Sequence, residues 1–220
     1  MAVFIAGQLL PIGAGLFLHS WWDPEGQAKM ESMPADGDVL SASTIVGGLL
    51  AFGLLVILTF ARGRTPGSYL KLRGFRWWQL PVWLVVSAVA GYVQTTLAPH
   101  FNQEAIPQFM VDTFQTTDHA VLLIAGIAFI APFFEETFFR GFLHEGWRSG
   151  PVGAFPSILF TSLLWTLIHV QYGWFELSWI FCFGILLGWA REASGSLWVP
   201  ISMHVLNNGL SLVATALELQ

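Results

Sequence analysis

The stretch AVLLIAGIAFIAPFFEETFFRGFL, Ala120–Leu143, carries three charges in an otherwise apolar and aromatic run. Within this stretch, residues 120–132 carry no charge, and the three charged residues after them are Glu135, Glu136 and Arg140. A membrane-spanning helix needs about 20 apolar residues, so this run is long enough to cross a bilayer. An ionisable side chain inside such a span is costly unless it is paired or solvated. These three residues are therefore candidates for a functional site.

The composition of the chain also indicates a membrane protein. Its 220 residues are 55% hydrophobic and only 10% charged, whereas an average soluble domain has about 25% charged residues. The formal net charge is -5 and the basic residues form no continuous stripe, so we predict no nucleic-acid partner. The one cysteine, Cys182, excludes an intramolecular disulfide and a cysteine cluster for a metal. We expect it to be buried as a small hydrophobe.

Apolar runs predict an all-α membrane protein, a bundle of about seven transmembrane helices. The predicted spans are Ala2–Phe17, Ser43–Ala61, Leu80–Leu97, His119–Phe142, Val152–Val170, Leu177–Ala190 and Leu197–Ala216. The first run lacks a basic start and a clear cleavage site, so we interpret it as a retained span rather than a signal peptide. We divide the chain into a three-span region, 1–118, and a C-terminal bundle, 119–220, which carries the unusual polar residues.

The basic residues predict how the chain is oriented in the membrane. Eight of the nine lysines and arginines fall on one side of the alternating seven-span arrangement, five of them in the loop 62–78. By the positive-inside rule this side is cytoplasmic, with the N-terminus inside and the C-terminus outside. We interpret the loop 62–78 as a solvated linker or as a segment with a short helix on the membrane surface.

The two adjacent glutamates have different predicted roles. In a helix, Glu136 and Arg140 are four residues apart and share a face, so they can form an ion pair. Glu135 points about 100° away around the helix and has no local cation. We therefore expect Glu136 to be structural and Glu135 to be available as a general base. The alternative is a helix end whose charges all reach interfacial water.

Two further apolar helices carry isolated polar residues. His169 lies four residues after Trp165 near the end of a predicted span, and His204 and Asn208 share one face of the last span. Read alone, His169 is more often a satisfied interfacial residue than a catalyst. A polar pair that packs between helices explains His204 and Asn208 as well as a catalytic function does.

Counting residues from the turn near Ser149 gives the relative depths of these side chains. At 1.5 Å per residue, Glu135 and His169 lie level across a helical hairpin, within about one turn. The same count puts His204 about 10 Å shallower. Either the hairpin projects beyond the membrane or the loop Ala193–Leu197 is sunk into the bundle.

The three motifs, in this order, resemble the CAAX-protease and bacteriocin-processing (CPBP, or ABI) family of intramembrane proteases. They are E-E-x-x-x-R at 135–140, an aromatic-x-x-x-H at 165–169 and H-x-x-x-N at 204–208. The resemblance covers about residues 120–216, and Trp165 stands where the family often has Phe. It implies a glutamate-dependent endopeptidase, which we expect in the cytoplasmic membrane of a bacterium. The implied catalytic residues are Glu135, Glu136, Arg140, His169, His204 and Asn208.

The resemblance implies a role for each of these residues. Glu135 would be the general base that activates water, and His169 would help to hold and polarise that water. His204 and Asn208 would form the oxyanion hole, which stabilises the negative charge that develops during peptide hydrolysis. The ion pair of the first motif would hold its helix in position.

Other functions stay open at this point. Two carboxylates and two histidines can bind Zn²⁺, but the H-E-x-x-H spacing is missing and adjacent glutamates diverge on a helix, so we expect no metal and no other cofactor. A non-catalytic scaffold or immunity protein would keep the same fold. A transporter would use the buried carboxylates, although no paired inverted halves indicate one. The expected partners are the lipid bilayer and a membrane-associated peptide or protein substrate. The sequence does not imply that this substrate is prenylated or that it carries a C-terminal tag.

Overall fold

A computed structural model describes residues 36–220, and within this range the chain is helical and contains no β-strand. The first predicted span, Ala2–Phe17, lies outside the described residues. The helices are α1 (Gly37–Ala61), α2 (Pro66–Tyr69), α3 (Gln79–Leu97, continued by a 3₁₀ turn, Ala98–Phe101), α4 (Gln108–Gln115), α5 (Ala120–Arg148), α6 (Ala154–Leu167), α7 (Trp174–Ser194) and α8 (Trp198–Glu218).

Three of these helices are long and apolar enough to cross a membrane, namely α1, α3 with its 3₁₀ turn, and α5. Helix α6 is apolar but shorter, and α7 and α8 have 21 residues each. The predicted all-helical membrane fold is therefore confirmed for the described part of the chain. The number of seven spans stays a prediction, and so does the division at residue 118, across which α3 packs along α8 and α1 along α5.

One end of the bundle collects the loop 62–78 and the turns after α5 and α7, and we call it the basic end. Leu70 is completely buried there. The N–H of Leu197 donates to the carbonyl of Lys71 at 2.9 Å, and Arg73 Nε donates to the carbonyl of Gly195 at 2.7 Å. The predicted short helix α2 is present. Most residues of the loop are exposed, as expected for a solvated linker, but Leu70 is buried where the loop packs over the turn between α7 and α8.

Helix α5, which carries both glutamates, is widened twice into π-helical turns, at Ile124–Ile130 and Thr137–Leu143. At the end of the first, the N–H of Ala131 donates five residues back to the carbonyl of Gly126. The next residue, Pro132, has no N–H to donate. The carbonyl of Ile127 is therefore left without a donor from its own helix. Single π-helical turns inside α-helices are frequent at functional sites.

The main apolar core surrounds the second half of α5. Phe134, Phe138 and Phe139 pack there with Trp165 of α6 and with buried residues of α7 and α8. Cys182 is exposed on α7, so our expectation that it is buried is wrong. The next residue, Phe183, faces the core instead, because adjacent residues of a helix point about 100° apart.

Candidate active site

Glu136 and Arg140 form the predicted ion pair, and both side chains are fully buried. Arg140 Nη1 donates to Glu136 Oε1 at 2.9 Å, and Nη2 donates to the carbonyl of Gly184 at 3.1 Å. A Cβ at position 184 would lie 3.1 Å from Nη2 and 3.0 Å from Ser162 Cβ, so this approach depends on glycine. The guanidinium also lies 4.5 Å from the ring centroid of Trp165, a cation–π contact. Arg140 therefore ties α5 to α6 and α7.

His204 contacts the same carboxylate from α8. Its Nδ1 lies 2.9 Å from Glu136 Oε1, which already accepts from Arg140. An ionised carboxylate only accepts hydrogen bonds, so Nδ1 carries the proton in this contact. No described residue forms a hydrogen bond with the other ring nitrogen, Nε2. The third motif is thus held by the first through Glu136.

The depth of His204 differs from the residue count. Its contact with Glu136 brings it to the level of the first motif rather than about 10 Å shallower, as counting predicts. Ser196 and Leu197, in the turn before α8, are completely buried. The structure therefore agrees with the sunken loop, which moves the start of α8 into the bundle.

Glu135 accepts a hydrogen bond from the side chain of Trp165. Trp165 Nε1 lies 2.6 Å from Glu135 Oε2, and Glu135 is half-buried. The prediction that Glu135 has no local cation overlooked the tertiary fold, in which the guanidinium of Arg140 lies against the same indole and is near enough to interact with the charge of Glu135. Sequence reasoning also missed the indole donor, because it treated Trp165 only as an aromatic residue. The signal was present, since an indole has an N–H that the phenyl ring of Phe lacks.

His169 follows directly after the last turn of α6. Its Nδ1 lies 2.7 Å from the carbonyl oxygen of Trp165, and its ring stacks against Tyr172 with centroids 6.1 Å apart. A carbonyl oxygen only accepts hydrogen bonds, so Nδ1 carries the proton here. In the neutral ring, Nε2 is then the acceptor nitrogen.

Asn208 makes a contact that the sequence did not predict. Its Nδ2 donates to the carbonyl of Ile127 at 2.9 Å, the carbonyl that lacks a helical donor because Pro132 follows five residues later. The side chain thereby satisfies a backbone acceptor of α5. An amide nitrogen has two hydrogens, so one N–H of Nδ2 stays available.

Four of the six predicted residues line one cavity of about 600 Å³. They are Glu135, His169, His204 and Asn208. Glu136 and Arg140 are not among the lining residues and lie behind this wall, in the core. The volume is within the usual range of ligand pockets. The four lining residues can therefore contact a substrate, whereas the ion pair behind them holds them in position.

Glu135 and Glu136, the two carboxylates of the zinc alternative, have different hydrogen-bond partners. Glu135 accepts from Trp165, whereas Glu136 accepts from Arg140 and His204. Within residues 36–220, no three histidine, cysteine, aspartate or glutamate side chains converge as ligands of a metal ion would.

A second group of buried charges lies near the basic end, away from the cavity. Arg191 forms ion pairs with Glu145 and Glu192, and Lys71 lies 3.1 Å from Glu145. His144 contacts Glu192 at 2.9 Å and does not line the cavity. These contacts join the loop 62–78 to α5 and α7. Sequence reasoning missed them because, apart from the pair of the adjacent residues Arg191 and Glu192, the partners are far apart along the chain.

Comparison with known proteins agrees with the family resemblance. Residues 117–210 match the family model described as type II CAAX prenyl endopeptidase Rce1-like. An uncharacterised 24.3 kDa protein of Escherichia coli is 30% identical over 172 residues, which cover 76% of this chain and 77% of that protein. No solved structure gives a significant match. The region that matches the family model includes all six predicted site residues.

Proposed function

Because this chain belongs to the Rce1-like family of type II CAAX prenyl endopeptidases, which are intramembrane proteases, we propose that it is a glutamate-dependent endopeptidase. Its substrate would be a membrane-associated peptide or protein. The observation that carries this proposal is the cavity of about 600 Å³, whose wall combines Glu135, His169, His204 and Asn208. A carboxylate, an imidazole and an amide around one space are the groups that hydrolysis of a peptide bond requires.

In the proposed reaction, Glu135 removes a proton from water as the water oxygen attacks the peptide carbonyl. The indole N–H of Trp165, 2.6 Å from Oε2, fixes the orientation of this carboxylate. His169 can accept a hydrogen bond from the same water through Nε2, because its Nδ1 proton is used by a backbone carbonyl. The proton on Glu135 then passes to the leaving amine when the C–N bond breaks.

His204 and Asn208 would stabilise the oxyanion. The Nδ1 proton of His204 points to Glu136, so Nε2 donates to an oxyanion only when the ring is an imidazolium. The second N–H of Asn208 is the other donor. Removing one oxyanion donor costs about 3–4 kcal/mol of transition-state stabilisation in studied enzymes.

The setting that we propose for this reaction follows from the sequence. Seven spans, including Ala2–Phe17, would cross the cytoplasmic membrane of a bacterium with the N-terminus inside. Both prenylated peptides and C-terminally tagged peptides are substrate classes to test.

A cleavage assay with matched variants tests the function. The purified protein, in lipid nanodiscs, is incubated with fluorogenic apolar peptides and with a farnesylated CAAX peptide. We expect E135Q, H169A and H204A each to lower the cleavage rate by at least about a hundredfold. E104Q and H100A are the controls, since both residues are exposed and neither lines the cavity.

Two results would contradict the proposal. If all three site variants process peptide like the wild type, the non-catalytic scaffold is the better explanation. If a chelator abolishes cleavage and Zn²⁺ restores it, the zinc mechanism replaces the glutamate mechanism.

A further inference from the structure

The cavity contains a second carboxylate that the proposed hydrolysis does not use. Glu176 lies in the first turn of α7, is only 9% exposed and lines the cavity. Among residues 36–220, no side chain or backbone group forms a hydrogen bond or an ion pair with its carboxylate. A buried carboxylate without a partner is unfavourable unless a ligand supplies the missing charge.

The charges around the cavity favour a cation. Glu135 and Glu176 are its two acidic lining residues, and no described lysine or arginine lines it. His204, which the proposed mechanism needs as an imidazolium, also lines the cavity, but its ring packs beside Trp165, the partner of Glu135. Glu176 forms no ion pair with a described residue, so its negative charge attracts a cationic group and repels an anionic one.

Aromatic residues beside Glu176 suit the same ligand. Tyr172 and Trp179 both line the cavity, and aromatic faces attract ammonium and guanidinium groups. Tyr172 also stacks on His169 and lies close enough to both carboxylates to interact with their charges. The acidic region around Glu176 therefore continues from the proposed catalytic residues.

We propose that Glu176 is the specificity determinant of a subsite that binds a lysine or arginine side chain of the peptide substrate. This inference rests on the proposed peptide hydrolysis. Glu176 would select substrates by charge while Glu135 performs the chemistry. The simpler explanation is that Glu176 only stabilises the start of α7, where a negative charge is favourable.

Binding of matched peptides tests the subsite separately from cleavage. The probes are acetylated and amidated apolar hexapeptides that differ at one position, which carries lysine, norleucine or glutamate and is moved along the peptide. Affinities are measured by calorimetry on E135Q in nanodiscs, because this variant should not cleave them. At the best position we expect lysine to bind about tenfold more tightly than norleucine, and glutamate most weakly.

The further substitution E176Q should abolish the preference for lysine and leave the affinity for the norleucine peptide unchanged. E104Q, added to E135Q in the same way, should keep the preference. An equal loss of affinity for all peptides in E176Q would mean a role in the helix start and would overturn the subsite. A preference that survives E176Q would overturn it too.

If E176Q does not fold, the order of the peptide affinities measured on E135Q alone tests the subsite. The absence of a lysine preference at every position would then overturn the proposal.

Cleavage of the same peptides tests the protease activity separately from the subsite. Cleavage of lysine and norleucine peptides with equal efficiency, lost in E135Q, would support hydrolysis and remove the subsite. A lysine preference without cleavage of any peptide would keep a cation site and remove the protease.

Discussion

His204 Nδ1 lies 2.9 Å from Glu136 Oε1, the same oxygen that accepts a hydrogen bond from Arg140. One carboxylate oxygen therefore connects the first motif, on α5, with the third, on α8. The ion pair does more than hold its own helix, because it also fixes the orientation of a histidine that lines the cavity. A change at this pair should affect both the stability of the bundle and the geometry of the site.

The first prediction concerns the stability of the buried pair. Arg140→Met leaves the Glu136 carboxylate buried without its cation, and we expect a loss of about 3–5 kcal/mol in the free energy of unfolding. The double variant E136Q/R140M should be less destabilised than R140M, because the uncompensated charge is gone. Unfolding in detergent, followed by fluorescence, measures the stability of both variants.

Arg148→Met is the control for this prediction. The Arg148 side chain is 39% exposed in its pair with Glu192, so the loss of this pair should cost no more than about 1 kcal/mol. Equal stability of R140M and the double variant would contradict the prediction.

The second prediction concerns the indole that contacts Glu135. Trp165→Phe keeps an aromatic ring beside Arg140 but removes the N–H that lies 2.6 Å from Glu135 Oε2. We expect kcat for peptide cleavage to fall modestly, by up to about tenfold, because the carboxylate loses one of its orienting contacts. Trp165→Leu also removes the cation–π contact and should reduce kcat further. If W165F and W165L have the same kcat, the N–H and the ring make no separate contributions.

These contacts show which parts of the site follow from sequence. The Glu136–Arg140 pair was predictable because residues four apart on a helix are neighbours. The contact between Glu136 and His204 spans 68 positions and depends on how deeply α8 enters the bundle. Counting residues gave the wrong depth, since it assumes a constant rise and a loop at the surface. The buried turn around Leu197 breaks the second assumption.

Some features of the fold could also be predicted from the sequence, and others could not. Apolar runs predicted the helices, because a bilayer requires continuous hydrophobic surface. They did not predict the π-helical turns of α5, the first of which ends two residues before Pro132. The packing of Leu70 against the turn before α8 was also not predictable, since a loop rich in basic residues usually stays in solvent.

A third prediction uses pH at the end of the bundle opposite the basic end. His119 Nδ1 lies 2.7 Å from Asp38 Oδ2, and this hydrogen bond raises the pKa of His119 above its ordinary value of 6.5. Because the pKa of His119 is higher in the folded protein than in the unfolded chain, its charged form contributes to the free energy of unfolding. This contribution is fully present below about pH 6.5, and it is lost as the pH rises through the pKa of His119 in the folded protein. The difference in Tm between the wild type and H119Q should therefore be largest near about pH 6 and shrink toward about pH 9. Tm measured by thermal unfolding checks this, with H100Q as the control, which removes no carboxylate contact. A difference that does not change with pH would contradict it.

The last prediction separates two roles of Asn208. Asn208→Ala removes the donor to the carbonyl of Ile127, and leaving this acceptor unsatisfied should cost about 1–3 kcal/mol in the free energy of unfolding. Pro132→Ala supplies a backbone N–H five residues after Ile127, in the pattern of a π-helical turn. In the P132A background, N208A should therefore be less destabilising than in the wild type. Unfolding of the four proteins as a double-mutant cycle measures the difference.

Cleavage by the same four proteins distinguishes a backbone role of Asn208 from a catalytic one. If its second N–H stabilises the oxyanion, P132A/N208A should recover stability but keep a loss in kcat of about a hundredfold or more. The single variant P132A should stay active, because Asn208 and the cavity wall are unchanged. Recovery of both stability and kcat in P132A/N208A would mean that Asn208 acts only by holding α5 in place. The oxyanion would then depend on His204, whose orientation Glu136 controls.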